Sequence, residues 1–128
     1  MSGTDPVDIV RSFFESLGPA SDQAWSGLEA YFDADTVWEN VGLGTTVGLE
    51  DAIAFIKSFP VAFSYMQIDV LHICADGDVV LNERIDHFVN ASGETVATIR
   101  VSGIIQVRDG KIALWRDYFD TAALLAGG

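Results

Sequence analysis

Three short stretches of this chain hold side chains able to move protons. In VVLNERIDHF, residues 79–88, strand alternation puts Arg84 and Asp86 on one side, about 7 Å apart, together with Val80 and Phe88. In ALWRDYFD, residues 113–120, Asp117 shares a side with Trp115 and Phe119, and in TVWEN, residues 36–40, Trp38 pairs with Asn40. Ile99 and Val101 have the matching parity on the strand after Arg84 and Asp86. Carboxyls beside a guanidinium are the material of general acid–base catalysis. Alternation alone does not say which side faces inward. Glu83 and His87 lie on the opposite side, and Asn82, Arg84 and Asp86 fit the wet face of a half-exposed sheet equally well.

Other chemistries find little material. His72 and His87 sit on separate strands without the helical i, i+4 spacing of a metal pair, so no metal is expected. The chain has no nucleophile-elbow, phosphate-loop or dinucleotide motif, and no cofactor is expected. Cys74, in an apolar strand, reads as a core side chain rather than a nucleophile.

The elements that must position these residues follow from periodicity. Asp5-Pro6 reads as a helix cap followed by proline in the first turn. Val10, Phe13, Phe14 and Leu17 then form one apolar helical face, ended by Gly18-Pro19. A second helix is expected from near Ser21, burying Trp25, Leu28 and Phe32, and a short strand from Thr36 to Val41. Gly42, Gly44 and Gly48 read as loose chain before a third helix that carries Ile53, Ile56, Phe59 and Phe63, its end blurred by Pro60. From Met66 the pattern alternates and is rich in β-branched residues. Breaks at Asp76-Gly77, Asn90 to Gly93 and Asp109-Gly110 predict four consecutive antiparallel strands. Thr121 to Ala126 reads as a last helical turn. Helices first and a curved sheet afterwards make an α+β fold, with the helices closing one face around a pocket.

Composition sets the outer bounds. The 128 residues, 49% hydrophobic, suit one domain spanning 1–128 with a real core. Seven Lys and Arg against 19 Asp and Glu give a net charge of −12, whose field repels nucleic acid and anionic membrane surfaces. The acidic start lacks a signal peptide's basic region, no apolar run is long enough to span a bilayer, and the single cysteine suits a reducing compartment. A cytoplasmic protein is the expectation.

Glu83-Arg84-Ile85-Asp86, followed by Trp115 to Asp120, resembles the limonene-1,2-epoxide hydrolase family, with Glu39-Asn40 as a third matching segment. The likeness runs over nearly the whole chain. It implies the NTF2-like, SnoaL-like fold: a cystatin-like cone of N-terminal helices on a curved, mixed, mostly antiparallel sheet. It also implies a catalytic set for opening epoxides in one step. Asp86 would be the general acid, Asp117 the general base, Arg84 the bridge between them, and Asn40 a holder of the attacking water. Where the family commonly has a water-binding tyrosine, this chain has Trp38, whose indole donates one hydrogen bond and accepts none. Trp38 therefore either touches the water's oxygen or shapes the pocket.

The chemistry needs one carboxyl protonated and one ionised at the same pH. A free aspartate titrates near 3.9, so an aspartic acid half protonated at pH 7 needs a rise of about 3 units, or ~4 kcal/mol. Burial among apolar side chains works in that direction. Convergence of the three groups is the critical expectation: carboxyls more than about 10 Å apart lie beyond one bridging guanidinium. The expected substrate liners are Trp38, Phe59, Phe63, Phe88, Ile99, Val101 and Phe119, which suit a lipophilic epoxide taken up with water. A homodimer is expected, because the helices cover only one face of an apolar sheet. Two rivals stand beside this reading. A ketosteroid-isomerase-like or polyketide-cyclase-like enzyme on the same fold would make Arg84 superfluous. A non-catalytic small-molecule-binding module would leave Arg84 and Asp86 on a wet face.

Overall fold

Asp5 opens the first helix as its sequence promises. Its carboxylate accepts the Val7 N–H at 2.9 Å, and Pro6 occupies the first turn. The computed structural model describes residues 5–19, 25–59 and 61–122. Helix α1 (Pro6–Ser16) buries Ile9, Val10, Phe13 and Phe14. Helix α2 (Trp25–Tyr31) contributes Leu28, with Phe32 just beyond it, to the same core. The expected start of α2 near Ser21 lies outside the described residues, as does most of the helical turn expected over Thr121 to Ala126.

Strands β1 (Val37–Asn40), β2 (Gly44–Val47), β3 (Tyr65–Asp76), β4 (Val79–Val89), β5 (Thr95–Arg108) and β6 (Lys111–Tyr118) form one sheet in the order β2-β1-β6-β5-β4-β3. The β1–β6 pair is parallel and the other pairs are antiparallel, so the sheet is mixed and mostly antiparallel, as expected. The meander β3 to β6 follows the anticipated turns. Strand β2 is an addition: Gly44 leaves only 3.2 Å between the position a Cβ would take and the Phe55 ring, so the glycine marks close packing rather than loose chain.

Helix α3 (Leu49–Lys57) is shorter than its apolar spacing suggested. It ends before Phe59 and Phe63, and Pro60, with no N–H to donate, suits a stop there. These two rings still meet, 5.5 Å apart, through tertiary packing against Phe88 rather than along a helix.

Two bulges decide what faces inward. In β3 the pairing with β4 slips between Val70 and His72, making Leu71 an extra residue. Every later side chain in β3 changes face, so Ile73 and Ala75 turn toward the core side and Cys74 turns out beside Leu81. Cys74 is therefore exposed, which corrects its reading as a core residue. In β6 the slip opposite Gln106 and Val107 makes Ala113 the extra residue. Ile112 before it and Trp115 and Asp117 after it are all buried. Without this bulge Arg116 would take the inward place of Asp117.

Candidate active site

The inner face of the sheet carries a polar cluster that the helices seal from water. Successive inward positions of β4 are Val80, Asn82, Arg84, Asp86 and Phe88, all buried. The wet-face reading of Arg84 and Asp86 is thereby excluded. Arg84 is 0% exposed, Asp86 2% and Asp117 4%. Charges this deep in a fold persist only when paired and hydrogen-bonded.

The pairing is nearly complete. Arg84 grips Asp86 side-on, with Nε on Oδ1 at 2.9 Å and Nη2 on Oδ2 at 3.2 Å. The same Nη2 donates to Asp117 Oδ2, so one guanidinium nitrogen joins both carboxylates, well inside the 10 Å limit. Nη1 donates to Asn82 Oδ1 at 2.7 Å. The guanidinium carbon lies 4.9 Å from the Phe14 ring centroid, which closes its other side. Asp117 is held a second time, by the Trp115 Nε1–H at 2.8 Å. Trp115 in turn stacks on Trp38, with centroids 4.6 Å apart and planes within 6°. Their contact follows from register, since Trp38 pairs with Trp115 and Asn40 with Asp117 across β1 and β6.

These neighbours set the protonation. Burial is the largest influence on Asp117 and pushes its carboxyl above the ordinary aspartate range, with help from the Asp86 charge. The Arg84 charge and hydrogen bond and the Trp115 N–H pull against that rise without cancelling it. Burial alone would loosen the Arg84 proton, but the charges and hydrogen bonds of Asp117 and Asp86 outweigh it, and the guanidinium holds its proton more tightly than usual. Two carboxyls around one fixed cation form a set that is neutral when it carries a single proton. With that proton the set holds one carboxylic acid and one carboxylate.

A cavity opens onto the carboxylates. Asp86, Asp117 and Asn40 line it, together with Trp38, Phe59, Phe63, Phe88, Ile99 and Phe119, so nearly all the expected liners meet there. Arg84 lies behind the carboxylates and does not reach it. Val101 does not reach it either, which corrects its reading as a liner: it pairs in register with Arg84 and is buried at the same depth. Leu17, Leu28, Ile56, Met66 and Trp115 complete the wall. Leu17, Leu28, Ile56 and Trp115 had been legible only as apolar positions, because periodicity reports burial and not which buried residues edge a cavity. Room for the centre of a water molecule is about 20 Å³, enough for roughly one or two waters.

Two donors in this wall stand out. Trp38 Nε1 and Asn40 Nδ2 are buried and have no hydrogen-bond partner among the described residues. Buried donors are normally satisfied, so a pair of them on residues that line the cavity with Asp117 fits an oxygen-bearing guest. Among the described residues no group of His, Cys, Asp and Glu is arranged to hold a metal, and no helix is long and apolar enough to cross a membrane.

Over 118 residues the chain is 30% identical to epoxide hydrolase EphG of Mycobacterium tuberculosis, covering 92% of this chain and 75% of that protein. The structure of an LEH-like epoxide hydrolase from M. tuberculosis superposes with a TM-score of 0.74 at 28% identity, over 95% of this chain and 83% of that one. An NTF2-like protein from Burkholderia pseudomallei gives a TM-score of 0.75 at 22% identity over 99% and 98% of the two chains, a likeness of fold. The family model described as the limonene-1,2-epoxide hydrolase catalytic domain matches residues 4–127, and the chain accordingly belongs to the limonene-1,2-epoxide hydrolase family, as an epoxide hydrolase on an NTF2-like fold.

Proposed function

We propose that this epoxide hydrolase adds water to a lipophilic epoxide in one step, with Asp86 as general acid, Asp117 as general base and Arg84 as the bridge between them. The observation that carries the reading is the single Arg84 nitrogen shared by both buried carboxylates at the end of an apolar cavity. Asn40 and Trp38 hold the water: the indole N–H donates to its oxygen, and Asp117 accepts one of its protons.

The steps balance without any added reagent. Asp86 delivers its proton to the epoxide oxygen as the carbon–oxygen bond breaks. The water oxygen bonds to the same carbon from the opposite side and gives a proton to Asp117. The product is a vicinal diol, and the cluster ends with its one proton on the other carboxyl. Asp117 suits the base role because burial raises its proton affinity while Arg84 keeps its ionised form accessible. Arg84, which does not give up its own proton, serves as a fixed charge and not as a relay.

The aromatic wall favours bulky, uncharged substrates, and the −12 net charge disfavours anionic ones. The working molecule is a homodimer of cytoplasmic chains. Its apolar contact is the outer face of the sheet, where Leu71, Leu81 and Tyr118 are 45%, 43% and 48% exposed.

The test is a panel of terpene-like, styrene-like and phosphorylated epoxides assayed for diol, with a single-turnover reaction in 18O-water. Direct attack puts the label into the first diol formed. Unlabelled diol from the first turnover, or preference for the phosphorylated epoxide, refutes the reading.

A further inference from the structure

Asn82, Gly103, Asp117 and Asn40 stand side by side across four strands, each in register with the next. Three of the four positions hold buried polar side chains and one holds none. Arg84, one inward position along β4 from Asn82, spans this row: Nη1 reaches Asn82 and Nη2 reaches Asp117. The gap at Gly103 is the space in which they meet. A Cβ there would lie 2.5 Å from Asp117 Oδ1, 3.0 Å from Arg84 Nη1 and 3.1 Å from the Arg116 carbonyl oxygen. The first distance is shorter than real side chains allow, and Gly103 sits within a long regular strand, where glycine costs stability. Its place is explained by the room it leaves.

Asn82 supplies the other half of the seat. Its Oδ1 takes Nη1, while its own Nδ2 is buried without a partner among the described residues. An unpaired buried amide N–H is a cost that an apolar residue would avoid. What Asn82 provides in return is a neutral acceptor that turns Nη1 away from Asp117. Asp117 Oδ1 and Arg84 Nη1 both border the Gly103 gap, 2.5 and 3.0 Å from the position a Cβ would take. With Nη1 engaged elsewhere, Asp117 takes one hydrogen bond from the guanidinium rather than two.

We propose that Asn82 and Gly103 are positioning residues that fix how many hydrogen bonds Arg84 gives Asp117 and so set the strength of the base. The proposal rests on the acid–base reading of the cluster, but it makes claims about the resting protein that can be read without substrate. Among the described residues, the charged groups that act on Asp117 are Arg84 and Asp86 of β4. From the other packed elements, β1 presents Trp38 and Asn40, β5 presents Gly103, β6 presents Trp115, and Leu17 at the end of α1 lines the same cavity, none of which titrates in the acid range.

The two substitutions should act in opposite senses. Asn82→Ala frees Nη1 to add a second hydrogen bond to ionised Asp117, which lowers its pKa. Gly103→Ala pushes the carboxylate off the guanidinium while leaving it buried, which raises its pKa. The experiment is a 13C carboxyl titration of aspartate-labelled protein, wild type and both variants, with thermal melts and the pH profile of kcat/KM alongside. The Asp117 titration should move down in Asn82→Ala and up in Gly103→Ala, each by about one pH unit, the scale of one charge-assisted hydrogen bond. The acid limb of kcat/KM should follow. Unmoved titrations in folded variants, or shifts of the same sign, overturn the proposal. If Gly103→Ala does not fold, the Asn82→Ala titration decides alone. A wild type that hydrolyses no epoxide while the titrations move as stated would refute the function and leave the seat standing.

Discussion

Asn40 of β1 lies in register with Asp117 of β6 across the parallel strand pair of the sheet. An amide with a free donor and a buried carboxylate thus face the cavity as neighbours, 77 positions apart in sequence. The same pairing stacks Trp38 on Trp115, which holds Asp117. One strand pairing therefore brings together the Asp117 carboxylate, the indole that holds it and two of the unpartnered polar groups, Trp38 Nε1 and Asn40 Nδ2.

Asp86→Asn and Asp117→Asn should each lower kcat by about 10²–10⁴-fold, the usual cost of losing a positioned acid or base. Both changes are nearly isosteric, so the variants should fold. Their combined effect should fall far short of the product, because each group is useless to a concerted step without the other. Steady-state kinetics on the three variants check this. Wild-type turnover in Asp86→Asn would end the assignment.

Arg84→Lys should be nearly as damaging, despite keeping the charge. The guanidinium satisfies Asp86 twice, Asp117 once and Asn82 once from a fixed plane. An ammonium offers one nitrogen and cannot fork between two carboxylates. Breaking a buried charge network costs about 3–5 kcal/mol, so the melting temperature should drop by more than about 5 °C together with a turnover loss of 10² or more. Calorimetry and kinetics on the same preparation separate the two effects.

Much of this arrangement was legible in the sequence because a strand's period of two keeps same-face residues together. The pairs Arg84 with Asp86, Trp115 with Asp117, and Trp38 with Asn40 all hold. Bulges break that rule without a signature in the residues. Leu71 in β3 turned Cys74 outward, while Ala113 in β6 left Trp115 and Asp117 in phase with each other and reversed them relative to Ile112. Strand β2 was missed because its glycine read as looseness when the structure uses it for contact with Phe55. Depth was also hidden: parity places Val101 on the right face, but only coordinates show that it pairs with Arg84 and does not line the cavity.

Trp38 separates two uses of one side chain. If its N–H holds the water, Trp38→Phe, which keeps an aromatic face for Trp115, should lose about tenfold in kcat, the value of one hydrogen bond. Trp38→Tyr restores a donor and should match or exceed wild type. Equal turnover in the Phe variant would assign Trp38 to pocket shape alone.

The outer face gives a test of assembly. Leu81 is exposed on β4, beside Cys74, with Tyr118 lining the same groove. A charge placed in an apolar contact between copies leaves an unpaired ion at its centre. Leu81→Glu should convert a dimer to monomers by light scattering at micromolar concentration without changing the far-UV circular dichroism. A wild type that is already monomeric refutes the dimer.

Asp117 should also leave a mark on stability. Burial raises its pKa in the folded protein above the ordinary value of 3.8. The folded state then binds the Asp117 proton more tightly than the unfolded state does. The stability this contributes is full below pH 3.8 and is lost as pH rises through the raised folded value. Asp117→Asn cannot ionise and carries no such dependence. The melting temperature of the variant, taken relative to wild type, should therefore climb as pH increases from about 4 and level off once the wild-type carboxyl is fully ionised. Arg84 keeps its proton throughout this window, so it adds no slope of its own. Paired melts of the two proteins at closely spaced pH values measure the difference directly. A difference that falls with pH would mean that the pull of Arg84 outweighs burial, and that Asp117 is a weaker base than its surroundings require.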